Sequence, residues 1–166
     1  MLNNENIINT LKSEIPNAIE SIEDTYGMLT LTVDKSKVHE LILWLKNDKS
    51  MRFHFLTDLC GTHTPDNKGK EIGLVMHLQS MTENKRIRIK THTTEHAPTF
   101  KTLTDIYDAA NWMERETYDF YGIKFEGHPD LRRILNVDEM TYFPLLKQYP
   151  LEDQTRTDKE DNYFGR

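Results

Sequence analysis

Leu74-Val75-Met76-His77-Leu78 and, past a polar turn around Glu83 and Asn84, Arg86-Ile87-Arg88-Ile89-Lys90 are the stretch that decides the fold class. The second run alternates: Ile87 and Ile89 fall on one side, and Arg86, Arg88, Lys90 and His92 on the other. Period-two patterning marks a strand with one wet face, and two such runs joined by a polar turn read as an antiparallel hairpin. Working back toward the N-terminus, residues 51–59 carry Met51, Phe53, Phe55 and Leu59 and predict a further strand, followed by a loop from Thr62 to Lys70 that contains Pro65 and Gly69. Val38, Leu41, Ile42 and Leu45 recur on one helical face with Trp44 at its edge, and Asp34 or Ser36 is placed to cap that helix. Ala18, Ile19 and Ile22 lead through Tyr26-Gly27 into the alternating Met28–Val33 run, a second hairpin, and Ile7, Ile8, Leu11 and Ile15 form a short amphipathic helix that Pro16 stops.

Toward the C-terminus the character changes. Asp105 to Tyr121 holds neither Gly nor Pro and reads as helix, with Gly122 as its stop. After Phe125 the pattern is short helix and coil, broken by Pro129, Pro144 and Pro150. The expected fold is therefore α+β, a small mixed sheet of about four or five strands flanked by helices, with an extended C-terminal arm. The expected division is an α/β body over 1–125 and an arm over 126–166. Tyr142, Phe143, Leu145, Leu146, Tyr149, Tyr163 and Phe164 are many apolar side chains for an arm with no core of its own, which points to packing on another protein.

At 166 residues, 37% hydrophobic and 29% charged, the chain is expected to form one globular unit. A net charge of −6 argues against broad attraction to nucleic acid or anionic lipid. One cysteine, Cys60, excludes an internal disulfide and a Cys-ligated iron–sulfur cluster, and fits a reducing compartment. Met1–Asn6 has no basic n-region ahead of an apolar stretch, and no run is long enough to span a bilayer; membrane contact is expected only through partners. No phosphate-binding glycine loop and no serine nucleophile elbow is present.

Three local features invite chemistry. His92 and His96 stand at i, i+4, the spacing of a helical metal site, but Thr91, Thr93, Thr94 and Pro98 do not favour a helix there. His54, His63 and His77 are scattered singly, and Cys60 is expected to be a buried, inert thiol. The row of Arg86, Arg88 and Lys90 reads either as a solvated face or as a docking surface for an acidic partner; a nucleic-acid surface is disfavoured because no aromatic side chains interleave with it.

The segment from Trp112 to Gly122 is crowded with charge and large rings, and Gly127-His128-Pro129-Asp130-Leu131-Arg132-Arg133-Ile134-Leu135 follows. Glu116 and Asp119 at i, i+3 could pair their carboxylates on one helix face, or Arg115 and Asp119 at i, i+4 could form an ion pair. Spacing alone does not choose. The mixture resembles a protein contact more than a core stripe.

That segment resembles the signature of the C subunit, or 30 kDa subunit, of respiratory complex I, the proton-pumping NADH-quinone oxidoreductase. The pattern is Glu114-Arg115-Glu116, two residues, Asp119, two aromatics, six residues to His128, three to Arg132, one, then Ile134. Leu103–Trp112, Pro144–Lys147 and Tyr149–Leu151 also look like the family, while Leu146 stands where it carries Arg and Gln148 where it carries Asp. The resemblance implies a subunit without catalytic residues, flavin, cluster or metal of its own, lying in the peripheral arm against the D (49 kDa) subunit, with FMN and iron–sulfur clusters in partner subunits. It also implies a position on the cytoplasmic face of a bacterial membrane, held there through partners. Glu114, Arg115, Glu116 and Asp119 would form a buried or interfacial charge network. His128, Pro129, Asp130, Arg132 and Arg133 would fix the turn and anchor the arm, Pro129 starting a short helix. Alternatives are the equivalent subunit of a membrane-bound hydrogenase or a deazaflavin- or ferredoxin-linked complex, and a stand-alone enzyme using His92/His96 or Glu116/Asp119.

Overall fold

The computed structural model of the protein describes residues 2–150. The elements run α1 (Asn4–Glu14), β1 (Ile19–Thr25), β2 (Met28–Val33), α2 (Val38–Asn47), β3 (Phe55–His63), β4 (Ile72–Ser80), β5 (Lys85–Thr93), β6 (Thr99–Lys101), α3 (Ala110–Tyr121) and β7 (Lys124–Glu126). The fold is α+β with a five-stranded mixed sheet in the order β1-β2-β5-β4-β3. Neighbours pair antiparallel except β2 and β5, which run parallel. Tyr163 and Phe164, assigned to the arm, lie outside the described residues.

Alternation divides the sheet into two unlike faces. Leu29 and Leu31, Ile87 and Ile89, Leu74, Met76 and Leu78, and Leu56 and Leu59 are cross-strand neighbours on one face, and all are buried. They share a single core with Ile7 and Leu11 of α1, the Val38, Leu41, Ile42 and Leu45 stripe of α2, and Phe100, Leu103 and Ile106. The opposite face carries Arg86, Arg88, Lys90 and His92 of β5 beside Val75, His77 and Gln79 of β4, exposed or half-buried.

Caps and turns explain the boundaries. The Asn3 side chain accepts the Asn6 N–H at 2.7 Å and starts α1. Tyr26 and Gly27, both at positive φ, close the first hairpin as a tight two-residue turn. Neither Asp34 nor Ser36 caps α2 as expected. Asp34 instead accepts the Ser36 N–H at 2.8 Å, an Asx turn ahead of the helix, and Lys37 stands at the cap without a side-chain bond.

Further expectations are corrected. Met51 and Phe53 do not belong to a strand: Asp48 accepts the Ser50 and Met51 N–H groups, and the two apolar side chains pin the α2–β3 turn into the core. The strand starts at Phe55 and runs on to His63, through part of the expected loop, because Thr62 and His63 pair with Gly73 and Ile72. β6 and β7, three residues each, form an unforeseen parallel pair. Helix begins only at Ala110, and residues 127–150 contain no helix, so Pro129 starts none.

Candidate functional site

α3 packs against β3, the strand at one edge of the sheet. The approach depends on Gly61: a Cβ there would come within 2.6 Å of the Tyr121 ring.

The buried face of α3 carries Ala110, Glu114, Thr117 and Asp119, two carboxylates where a core helix would place aliphatics. Both are fully buried and both have hydrogen-bond partners. Glu114 accepts the Thr102 hydroxyl and the Leu103 N–H, each at 2.6 Å, fastening the helix to the strap after β6. Burial pushes its carboxyl up to about 7 against the opposing pull of those two hydrogen bonds.

Asp119 organises the following segment. Its Oδ2 accepts the N–H groups of Ile134, Leu135 and Asn136 at 3.1, 2.8 and 2.9 Å, and its Oδ1 accepts from Arg133 Nη1 at 2.6 Å. Burial alone would raise this carboxyl; the bonds from Asn136, Leu135, Arg133 and Ile134 outweigh it and hold the group well below the usual carboxylate range. Three successive N–H groups aimed at one oxygen make a backbone anion nest. Arg133 reciprocates: it also binds the Asp119 carbonyl, donates from Nη2 to the carbonyls of Met140 and Tyr142 at 2.7 and 3.0 Å, and lies 5.1 Å from the Phe143 ring centroid.

The other signature residues group around this clamp unequally. Arg115 does not pair with Asp119; it donates to the carbonyls of Arg132 and Arg133 at 3.3 and 3.0 Å. Glu116 is exposed, so it does not share a face with buried Asp119, and the paired-carboxylate arrangement is absent. His128 donates Nε2–H to the Asn111 carbonyl at 3.1 Å and accepts the Asp130 N–H on Nδ1 at 3.0 Å, an arrangement that requires the neutral Nε2–H tautomer. Arg132 points outward and pairs with Asp130 at 2.9 Å. Pro129 sits in the intervening turn.

Farther along, the Leu145 N–H bonds the Phe120 carbonyl at 3.1 Å, Phe143 packs edge-on against Tyr118, and Leu146 packs on the core. The Lys147 N–H reaches His63 Nδ1 at 3.0 Å, across 84 positions of sequence, while Nε2 of that buried histidine faces Glu95 at 3.4 Å. No local pattern around His63 announces this role. With its backbone so fixed, the segment leaves Leu135, Val137, Tyr142 and Leu145 exposed, and Trp112 of α3 as well.

Elsewhere the candidates disperse. His92 lies in β5 and His96 in the following loop, so no helix brings them together, and among the described residues no three His, Cys, Asp or Glu side chains group to hold a metal ion. Cys60 is exposed, contrary to expectation, because it falls on the outward side of β3. Partial burial of its thiol, with Asp58 and Glu116 nearby, raises the thiol pKa. Among the described residues no helix is long and apolar enough to cross a membrane.

Residues 31–155 match the family described as respiratory-chain NADH dehydrogenase, 30 Kd subunit. Curated relatives named as the C subunit of NADH-quinone oxidoreductase include one from Streptomyces coelicolor, 38% identical over 81% of this chain and 54% of its own length, and one from Maricaulis maris, 39% identical over 81% and 68%. Against the Streptomyces relative the chain thus spans about half the length. Among solved structures, a trypsin-resistant fragment of Nqo5 aligns with a TM-score of 0.64 at 30% identity, covering 76% of this chain and 98% of the fragment. A chain of the membrane-bound sulfane sulfur reductase, an archaeal respiratory membrane complex, aligns at 0.73 and 25% identity, covering 89% and 85%.

Proposed function

Since the chain belongs to the respiratory-chain NADH dehydrogenase 30 kDa subunit family, we propose that it is a non-catalytic structural subunit in the peripheral arm of a proton-pumping NADH-quinone oxidoreductase. Its task is to dock against the D (49 kDa) subunit and so support electron transfer from NADH, through FMN and iron–sulfur clusters held by other subunits, to quinone. The observation that carries this reading is the Asp119–Arg133 clamp. It commits a buried ion pair, a set of backbone groups and an aromatic ring to fixing a segment without regular structure, and that segment turns Leu135, Val137, Tyr142 and Leu145 outward. A protein with no partner gains little from ordering an apolar surface toward water; a subunit gains a preorganised docking surface.

In this reading Glu114, Arg115 and Asp119 hold the clamp, His128, Pro129, Asp130 and Arg133 set the path of the arm, and exposed Glu116 and Arg132 contact the neighbouring subunit. One cysteine and no phosphate loop suit a chain that leaves electron transfer to its partners, and a position on the cytoplasmic face of the membrane follows from docking. A second reading, the equivalent subunit of a related membrane-bound complex with another electron donor, is favoured by the alignment to the sulfane sulfur reductase chain, the longer of the two structural matches.

The test is purification of N-terminally tagged protein from native membranes in mild detergent, with mass spectrometry of what accompanies it and an assay of NADH-dependent quinone reduction. A large iron–sulfur assembly with that activity supports the first reading, and one without NADH activity supports the second. A lone soluble protein refutes both.

A further inference from the structure

The apolar face of the sheet is covered by α1, α2 and the segment around Phe100–Tyr107; the opposite face is covered by no element among the described residues. Along its middle runs β5, with Arg86, Arg88 and Lys90 on that open face. Alternate residues of a strand lie about 6.6 Å apart, so the three cations form a straight row of that spacing. Their bonds leave capacity unused. Arg86 donates from Nη2 to the Gln79 side chain at 2.9 Å, and Arg88 gives only its Nε, to His77 Nε2 at 2.9 Å. Lys90 meets Glu23 at 3.8 Å, the far limit of an ion pair. Neither arginine has a carboxylate partner among the described residues, in a chain whose net charge is −6.

His77 accounts for the missing partner. On the β3 side the carboxylate in line with Arg88, that of Asp58, faces His77 Nδ1 at 3.4 Å, so the imidazole stands between it and Arg88. Accepting from Arg88 on Nε2 keeps that nitrogen unprotonated, and both partial burial and the charge of Arg88 lower the His77 pKa. Among the described residues no other group bonds the Arg88 guanidinium, which leaves its outer edge for a bidentate acceptor.

We infer that this open sheet face is a docking surface for an extended acidic segment of a neighbouring subunit, carrying carboxylates on alternate residues that meet Arg86, Arg88 and Lys90. Glu23 and Asp58 border the row on either side, which leaves a narrow cationic stripe instead of a broad field. A nucleic acid or an anionic bilayer would bring its charge over those borders and be repelled there, whereas a single extended peptide can lie along β5 between them. The surface is distinct from the clamp around Asp119 and rests on the assembly reading above.

The experiment places a photo-crosslinking phenylalanine analogue at Gln79, beside Arg86, in the full chain expressed in its native membranes, with exposed Lys12 of α1 as the control position. The expected result is a crosslink from position 79 to a carboxylate-bearing peptide of another subunit of the same complex. Replacing Arg86 by Glu should lower that crosslink at least about tenfold through like-charge repulsion, while Arg86→Lys retains most of it. An unchanged melting temperature for Arg86→Glu shows that the exposed site has not unfolded the chain. Crosslinking no greater than at Lys12, or to lipid or nucleic acid, or to a peptide without acidic residues, overturns the inference while leaving the subunit reading intact if the complex co-purifies. A chain that joins no complex overturns both.

Discussion

Replacing Asp119 by Asn removes one charge and almost no volume, and the consequence follows from what the carboxylate holds. Oδ2 accepts three N–H groups and Oδ1 accepts Arg133, so an amide cannot satisfy both sides: turned one way its NH2 meets the three N–H donors, turned the other it meets the guanidinium. Either way the Arg133 side chain, 9% exposed, loses its counter-charge. Breaking a buried ion pair by removing one partner costs about 3–5 kcal/mol. For a chain of this length each kcal/mol lowers the melting temperature by about 2–4 °C, so a fall of about 6–20 °C is expected if the clamp unfolds with the rest. If residues 131–149 detach first, the global change is smaller and the loss appears locally, as fast amide exchange at Leu135 and Asn136 and new proteolytic cleavage in that segment. Thermal melts and hydrogen exchange together check the outcome. A melting temperature within about 2 °C of the parent, with protection at Leu135 and Asn136 unchanged, would refute the clamp as the element that orders the arm.

Glu114 predicts a pH dependence. Its carboxyl is raised to about 7 in the folded chain, so between its ordinary pKa and that value the folded state holds a proton that the unfolded state has lost. Stability should therefore fall as pH rises through this window, by up to roughly 3 kcal/mol, and level off above it, with Glu114→Gln flattening the slope in urea titrations at several pH values. Asp119 acts oppositely: its depressed pKa contributes stability above the usual carboxylate range that is lost on acidification below it, a limb that Asp119→Asn should remove. Gly122 lies at φ +73 with the Phe143 ring 2.6 Å from where a Cβ would stand, so Gly122→Ala should destabilise by at least about 1 kcal/mol and loosen the arm, read by melting and proteolysis. Cys60 should alkylate more slowly at neutral pH than an unperturbed thiol, and Asp58→Asn should speed it; a rate unaffected by that change would remove Asp58 as a cause.

Periodicity needed no fold to be read. The alternation in 86–90 and 28–33 and the helical stripe in 38–45 each bury one face whatever their neighbours do, and the structure has strands and a helix there. The signature was equally legible, because fixed spacing over a short span needs no knowledge of the fold. The parallel pairing of β2 with β5 was not, since nothing in either strand names its neighbour; the α2 crossover and the two hairpins settle it together. β6 and β7 escaped because three residues are too few to show a period, and their pairing is fixed by the strap and α3 between them.

Within the candidate site the same line divides what was readable. Spacing made Asp119 a partner for Arg115 or Glu116, its helical neighbours. The packed chain gives it instead to Arg133 and three backbone N–H groups beyond the helix, because the left-handed turn at Gly122 sends the chain back across α3. His63 was one of several scattered histidines until the fold brought Lys147 to it. Local pattern reports which residues want burial and which elements form; which charges meet depends on where the chain returns, and only the packed molecule fixes that.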